Sequence, residues 1–269
     1  MKKKIGFIGC GKMGGAIIGG ILSAKFTDND SIMASEYSVE SAEKKSKELG
    51  IKVITDNKEL VRNSDIIVIA TKPNIVRDVL TEISSELSNE RLLVSIAAGV
   101  TIKTIEEHIP DNIHVIRVMP NTPALVGEGM FGITSSKQTT PEELNFIKDM
   151  LSTLGKCIIL PENQMDIVTA ISGSGPAFFY KVIHEMALAG EKLGMDYQNA
   201  ILLAAQTAIG SAKMLMTSDK TPVELINSVA TKGGCTEVGV SYMNEANSEE
   251  FFYNVIKKTT DKARDLGKK

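Results

Sequence analysis

The chain has little of what metal-based or disulfide-stapled scaffolds need. Its 269 residues include three cysteines and three histidines. Cys10, Cys157 and Cys235 are odd in number, far apart and in no CxxC pair, so neither a disulfide framework nor a zinc site is expected. Reduced thiols fit a reducing compartment. His108, His114 and His184 show no metal-ligand spacing, and no metal is expected. His184, among Ile183, Met186 and Ala187, reads as a core or interface residue. His108 and His114 flank Ile109-Pro110-Asp111 and read as an exposed turn. No histidine is then a convincing acid–base group, which leaves the chemistry to a cofactor and to positioning. A net charge of −3 and the lack of basic stripes give no reason to expect nucleic acid or an anionic membrane as a partner. Behind the basic start Lys2-Lys3-Lys4 only Ile5–Ile8 precede Gly9, too little for the h-region of a signal peptide. No uninterrupted apolar run approaches a bilayer span. A cytoplasmic location, away from membranes, is expected.

What the chain does carry begins near its amino-terminal end. Ile5-Gly6-Phe7-Ile8 reads as a buried strand running into Gly9-x-Gly11-x-x-Gly14, and Ala16, Ile17, Ile18, Ile21 and Leu22 follow at helical spacing. In a dinucleotide site the first glycine permits a tight turn and the second lets backbone approach a pyrophosphate. The third lets helix and strand pack closely. Free N–H groups at the helix start point at the phosphates. Glycine-rich turns are common, and it is the strand before and the helix after that favour a nucleotide site here. An acidic group roughly twenty residues past the glycines bonds the ribose 2′-hydroxyl and repels a 2′-phosphate. Glu36, directly after Ser35, holds that place with no arginine following nearby, which favours NAD(H) over NADP(H).

The first half alternates short apolar runs with amphipathic stretches. Strands are expected at Lys4–Ile8, Ser31–Ser35, Lys52–Ile54, Asp65–Ala70, Leu92–Ser95 and His114–Val118. Helices are expected at Met13–Ala24, Val39–Leu49, Ile75–Leu87 and Ile102–Ile109, and a strand–helix–strand passage at Gly129–Thr134, Pro141–Leu151 and Lys156–Leu160. Such alternation argues for a doubly wound α/β sheet. From about Asn163 the strand patterns stop, and helices are expected at Pro176–Leu193, Asp196–Leu215, Pro222–Val229 and Glu249–Leu266. Gly194 and Gly210 read as helix caps or close-packing points. The small, apolar faces of Ala200–Ile209 exceed what one short bundle would hide, and an interlocked dimer or a larger monomeric core would bury them. Leu160-Pro161-Glu162 divides a dinucleotide-binding domain, 1–161, from a helical domain, 162–269.

In an open parallel sheet, ligands bind beyond the carboxyl ends of the strands. There the chain places Ala70-Thr71-Lys72-Pro73, then Ser95-Ile96-Ala97-Ala98-Gly99-Val100, then Arg117-Val118-Met119-Pro120-Asn121-Thr122-Pro123. Lys72 suits a charge beside cofactor phosphate or ribose and equally a solvated lysine before a proline. The small residues at Ile96–Ala98 leave room for a flat ring. Two prolines bracket Asn121 and Thr122 in a stiff loop whose polar side chains are expected to face the cleft. In the helical half, Ser172-Gly173-Ser174-Gly175-Pro176-Ala177 precedes a long helix and reads as a cap or anion nest. Ala230–Gly239 reads as a loop between helices, with successive N–H groups at Gly234–Thr236 opening a helix and suited to a carboxylate. The hydroxyl of Thr236 adds a bond to a substrate nitrogen or oxygen.

Ile5–Gly14, Ala70–Pro73, Ser95–Val100, Arg117–Pro123, Ser172–Ala177 and Thr231–Gly239 together resemble the pyrroline-5-carboxylate reductases. The resemblance runs from the first strand to the last loop. It implies a Rossmann-like first domain and an all-helical second domain that dimerises by interlocking helices, with further assembly into a ring of dimers. It implies a cofactor, NADPH or NADH, touching Ile8, Gly9, Cys10, Gly11, Lys12, Met13, Gly14, Ser35, Glu36, Asn57, Ala70, Thr71, Lys72, Pro73, Ile96, Ala97 and Ala98. It implies 1-pyrroline-5-carboxylate as substrate, its carboxylate on the backbone of Gly234, Cys235 and Thr236. Ser172, Ser174, Val229, Ala230 and Gly233 would line the same site, with Thr236 the catalytic group near the ring nitrogen. Lys232 stands where the family usually has proline, and Cys235 where threonine or alanine is common. Glu36 stands where many members carry a small or basic residue, so the choice between the two cofactors stays open. Two alternatives remain: a reductase of another cyclic imine or a β-hydroxy acid dehydrogenase with Lys181 as base, and a non-catalytic nucleotide-sensing module.

Overall fold

The computed structural model describes residues 3–267, so Lys2 of the basic start and the outermost domain bounds lie outside the described residues. The strands are β1 (Ile5–Ile8), β2 (Ile32–Ser35), β3 (Lys52–Ile54), β4 (Ile66–Ile69), β5 (Leu92–Ser95) and β6 (His114–Met119), followed by β7 (Gly129–Ser135) and β8 (Gly155–Ile159). Non-alternating apolar runs form the central strands β1, β4 and β5, fully buried as parallel strands covered on both faces require, while the edge strands β3 and β8 are partly exposed. The sheet order is β3-β2-β1-β4-β5-β6-β7-β8. All neighbours are parallel except β6 and β7, which pair antiparallel through the short Pro120–Glu128 link. A link of that length cannot make the crossover that a parallel pair needs.

Helices cover both faces, as a doubly wound sheet demands. Between the strands lie α1 (Lys12–Ser23), α2 (Val39–Leu49), α3 (Asn57–Arg62), α4 (Val76–Ile83), α5 (Ile102–Glu106) and α6 (Pro141–Ser152). Successive strand residues split between two cores. Phe7, Ile66, Val68 and Val94 pack with Ile17, Ile18 and Ile21 of α1 and Met150 of α6. Ile8, Ile67, Ile69 and Leu93 pack with Leu60 of α3, Leu80 of α4 and Ile105 of α5. The register places Ser35, Ile8, Ile69 and Ser95 side by side, so the segments after β2, β1, β4 and β5 leave the sheet from adjacent points.

The remaining helices are α7 (Met165–Val168), α8 (Gly175–Lys192), α9 (Tyr197–Thr217), α10 (Pro222–Val229), α11 (Cys235–Glu245) and α12 (Ser248–Gly267). The chain divides into two compact units, residues 1–174 with 259–269 and residues 175–258. The change of composition at Leu160–Glu162 precedes that division, because α7 and the turn after it pack with the first unit. Gly194, at φ +96°, ends α8 in the left-handed conformation that glycine adopts freely. Nothing lies within 4 Å of the place of a Gly210 side chain, so that glycine marks no close approach within the chain.

Several expected elements differ. The helix expected at Ile75–Leu87 is α4 with a 3-10 turn at each end, Pro73 opening the first. The helix expected to reach Ile109 ends at Glu106. The six-residue α3 was not expected at all, and α11 begins inside the stretch expected to be loop.

Candidate active site

Three glycines carry three different contacts. Gly9 has φ +96°, and a side-chain carbon there would lie 2.9 Å from the Ala70 carbonyl oxygen. Gly14 meets Gly9 so closely that such a carbon would lie 2.6 Å from the Gly9 carbonyl oxygen. A side-chain carbon at Gly11 would meet nothing within 4 Å. Turn, close packing and open approach are what a dinucleotide cradle needs. Gly11 also caps α1 with no side chain bonded to the first turn and no acidic residue in it, which leaves the helix start to an anion. Beside this turn, the Thr71 hydroxyl is buried without a hydrogen-bond partner. An open glycine and an orphaned buried hydroxyl fit a polar cofactor at this place.

The residues expected on the adenosine side come from the end of β2 and the start of α3. Glu36 accepts from the Cys10 N–H at 2.9 Å and from the Ser41 hydroxyl at 3.2 Å. The Ser35 hydroxyl donates to Asn57 Oδ1 at 2.6 Å, and Asn57 Nδ2 donates to Glu82 at 2.8 Å. The structure thus brings Ser35, Glu36 and Asn57 together, and adds Glu82, which sequence reasoning missed. Burial, followed by the Glu36 carboxylate, pushes the Cys10 thiol up to about 12, so that sulfur stays protonated. Further along the strand ends, Ile96 and Ala97 are buried, with the Ala97 N–H on the Ser95 hydroxyl, and Gly99 turns at φ +78°. Lys72 is exposed and caps the turn that Pro73 opens.

The loop after β6 corrects one expectation. Asn121 faces no cleft: it is buried, accepting from the Met130 N–H and donating to Ser172. Ser172–Ala177 is likewise not an open nest before a helix. Thr169–Gly173 forms a π-helical turn after α7, the Ser174 N–H donates to the Thr169 carbonyl, and α8 begins directly after Ser174. Arg117, almost fully buried in β6, pairs with Glu162 at 3.1 Å, and Glu162 also accepts from the Ile102 N–H at 2.7 Å. The sequence offered Arg117 only as the start of a strand-end segment and Glu162 only as a domain boundary, because residues 45 apart carry no mark of pairing. His114 is not in an exposed turn: it opens β6 and bonds Glu143, the first-turn acid of α6. Burial raises the Glu143 carboxyl, but the Thr140 N–H and His114 outweigh it and hold the group below the usual range.

In the second unit, Val229, Ala230 and Gly233–Thr236 form one loop and helix start. Gly234 caps α11 with no side chain on the first turn, so the N–H groups of Cys235 and Thr236 open the helix. Gly234 itself is not a free donor, since its N–H bonds the Thr231 carbonyl at 2.9 Å. The Gly233 N–H is held by Glu237 at 2.6 Å. Lys181 forms an exposed pair with Glu185 one helical turn on, a solvated arrangement that does not suit a general base. His184 bonds the Tyr197 hydroxyl at 2.8 Å and is exposed in the single chain. Among the described residues no group of three or more His, Cys, Asp or Glu side chains could hold a metal.

Residues 162–266 match the family model described as pyrroline-5-carboxylate reductase dimerisation, and residues 4–99 match that of the coenzyme F420-dependent NADP oxidoreductases. A pyrroline-5-carboxylate reductase of Methanosarcina acetivorans is 40% identical over 267 residues, covering 99% of both chains. This chain belongs to the pyrroline-5-carboxylate reductase family. The structure of the Plasmodium falciparum pyrroline carboxylate reductase with NADP bound superposes with TM-score 0.89 at 33% identity, covering 99% of this chain and 98% of that one. The Coxiella burnetii pyrroline-5-carboxylate reductase superposes with TM-score 0.93 at 28% identity over the whole of both chains. In this reductase family the matched helical half is the part that dimerises. The chain is a homo-oligomer, and exposed apolar side chains of α8 and α9, such as Phe179, Leu202 and Met216, lie inside that match. Among the described residues one helix, α9, is long and apolar enough to cross a membrane by length and composition. Its whole length lies inside the dimerisation match, which accounts for that apolar character.

Proposed function

We propose that the chain reduces 1-pyrroline-5-carboxylate to L-proline with a reduced nicotinamide dinucleotide, in the cytoplasm, as a homodimer that assembles further into a ring. The observation that carries the reading is the glycine turn at residues 9–14, whose contacts match a dinucleotide cradle in a chain of this family. A reduced nicotinamide, when bound, would supply the hydride that reduces the C=N bond of the ring imine at C5. Ile8–Gly14 hold the pyrophosphate, Ser35, Glu36 and Asn57 the adenosine ribose, and Ala70–Pro73 and Ile96–Ala98 the nicotinamide side.

The residues 162–269 serve the substrate and the assembly. Cys235 and Thr236 offer their N–H groups to the substrate carboxylate, where the partial positive charge of a helix start favours an anion. The Thr236 hydroxyl bonds the ring nitrogen and assists its protonation. Val229, Ala230 and Gly233 flank that helix start in the second unit, and Ser172 and Ser174 of the first unit are assigned to the substrate by the family resemblance. A protonated imine is already electrophilic, so no strong protein acid is required. That matches a second unit in which His184 is bonded to Tyr197 and Lys181 to Glu185.

Between the two cofactors, whose choice the sequence leaves open, the charge around Glu36 supports NADH. The Glu36 carboxylate is held by Cys10 N–H and Ser41, and Glu82 adds a second carboxylate next to Asn57. A 2′-phosphate placed among them would meet like charge. Replacing Glu36 with alanine should move the NADPH/NADH ratio of kcat/KM upward by roughly tenfold, about 1.4 kcal/mol. An unmoved ratio would remove Glu36 from this role. The reaction itself is tested by loss of reduced-nicotinamide absorbance on addition of 1-pyrroline-5-carboxylate, with L-proline formed in equal amount. Binding of cofactor without turnover would leave a nucleotide-sensing module instead.

A further inference from the structure

We propose that Asn121 is a positioning residue of the active site, which holds Ser172 so that the serine hydroxyl keeps its proton for the substrate. The proposal rests on the reading above that Ser172 lies on the substrate side. Asn121 follows Pro120 directly after β6, and its side chain is buried. The Met130 N–H donates to its Oδ1 at 2.8 Å. An N–H can only donate, so this bond fixes the oxygen toward β7 and turns the NH2 group toward Ser172. Nδ2 then donates to two atoms of that one residue, the Ser172 carbonyl and the Ser172 hydroxyl oxygen, at 3.3 Å each. The first bond fixes the peptide plane of Ser172 and the second its side-chain rotamer.

The second bond also sets the chemistry of the hydroxyl. A serine oxygen that accepts from Asn121 still carries its own proton, and that proton has to go to another acceptor. The substrate class of the proposed reaction brings one, a carboxylate. The local backbone shows why a clamp is needed here. Ser172 sits in the π-helical turn Thr169–Gly173, a geometry found mostly as single turns and frequently at functional sites. The Gly173 backbone lies against the end of the Met119 side chain, so both residues flanking Pro120 reach the same turn. Asn121 itself need touch neither substrate nor cofactor.

The deciding variant is Asn121→Asp. It keeps an oxygen for the Met130 N–H but faces Ser172 with a second acceptor, which captures the serine proton and repels the Ser172 carbonyl. The expected result is a KM for 1-pyrroline-5-carboxylate raised about tenfold, with kcat changed less than about threefold, the pattern of lost ground-state binding. The Kd for NADH should stay within about twofold, since the cofactor contacts lie elsewhere. Ser172→Ala removes only a partly exposed hydroxyl and should raise the KM in the same direction. In the double variant the two effects should overlap rather than multiply, because they act through one hydroxyl. Multiplying effects, or a Ser172→Ala protein with unchanged KM, would overturn the proposal, and so would an Asn121→Asp protein that loses thermal stability with KM unmoved. If Asn121→Asp does not fold, Ser172→Ala decides alone. Turnover by the unaltered chain, measured first, separates failure of this assignment from failure of the reaction assignment.

Discussion

The two compact units treat their apolar side chains in opposite ways. In the first, Phe7 and Phe131 are completely buried, and an eight-stranded sheet and its helices close two cores, one on either face. In the second, Phe179 is 66% exposed and Leu202 and Met216 are each 67% exposed. The residues that α9 does bury are Ala200 and Ala204, too small to anchor a helix of 21 residues. The first unit thus closes its core within one chain, while the second leaves apolar side chains exposed inside the region that matches the dimerisation family. Fully burying a leucine is worth about 1.5–3 kcal/mol, so several such side chains left in water would be costly for a monomer. Cofactor binding should then follow from the fold of a single chain, and substrate turnover should depend on an assembly.

The comparison can be broken at either end. The largest expected effect is Gly9→Val, which forces a left-handed residue and a backbone clash and should weaken NADH binding by at least about a thousandfold. Sedimentation should show its subunit assembly unchanged, and a loss of both properties together would contradict the division between the units. Thr236→Val should lower kcat/KM for 1-pyrroline-5-carboxylate by about a hundredfold, the usual scale for a proton-assisting group, while NADH titration shows ordinary affinity. Leu202→Glu places a charge on the exposed face of α9 and should weaken subunit association by about tenfold or more at equilibrium. Its far-ultraviolet circular dichroism should stay helical, and an unchanged sedimentation profile would refute the interface.

Two smaller effects belong to the first unit alone. Thr71→Val removes a buried hydroxyl that has no partner, so the cofactor-free protein should gain about 1 kcal/mol of stability while its NADH affinity falls. Opposite signs are the signature, and a loss on both measurements would mean that the hydroxyl serves the fold. The Glu143 carboxyl, held low by Thr140 and His114 against its burial, contributes stability that is present above the ordinary carboxylate range. That contribution disappears as pH falls through the lowered value. Thermal scans below about pH 4.3 should therefore show a melting temperature falling by a few degrees more in the native chain than in Glu143→Gln.

Much of the first unit was legible in the sequence because parallel strands are read twice, once by composition and once by lack of alternation. Ile66–Ile69 declares itself in that way, and the Gly9, Gly11 and Gly14 spacing declares the turn. The six-residue α3 did not, since only Leu60 and Val61 in it are buried. The π-helical turn at Thr169–Gly173 left no compositional trace, because an extra residue in a turn changes hydrogen bonding and not residue type. The substrate loop was found by its glycines, yet which of its N–H groups are free was decided by bonds to Thr231 and Glu237 that no spacing announces. Asn121 was noticed for its prolines and misread in its direction. Glu82 and the Arg117–Glu162 pair join segments far apart in the chain and became visible only once the sheet had set its order.

Steady-state reduction of 1-pyrroline-5-carboxylate, with NADH and NADPH compared side by side, bears most directly on the division between hydride carrier and substrate loop. The account predicts turnover with both cofactors, NADH ahead by roughly tenfold in kcat/KM, and L-proline as product. Tight cofactor binding with no turnover from either would contradict it.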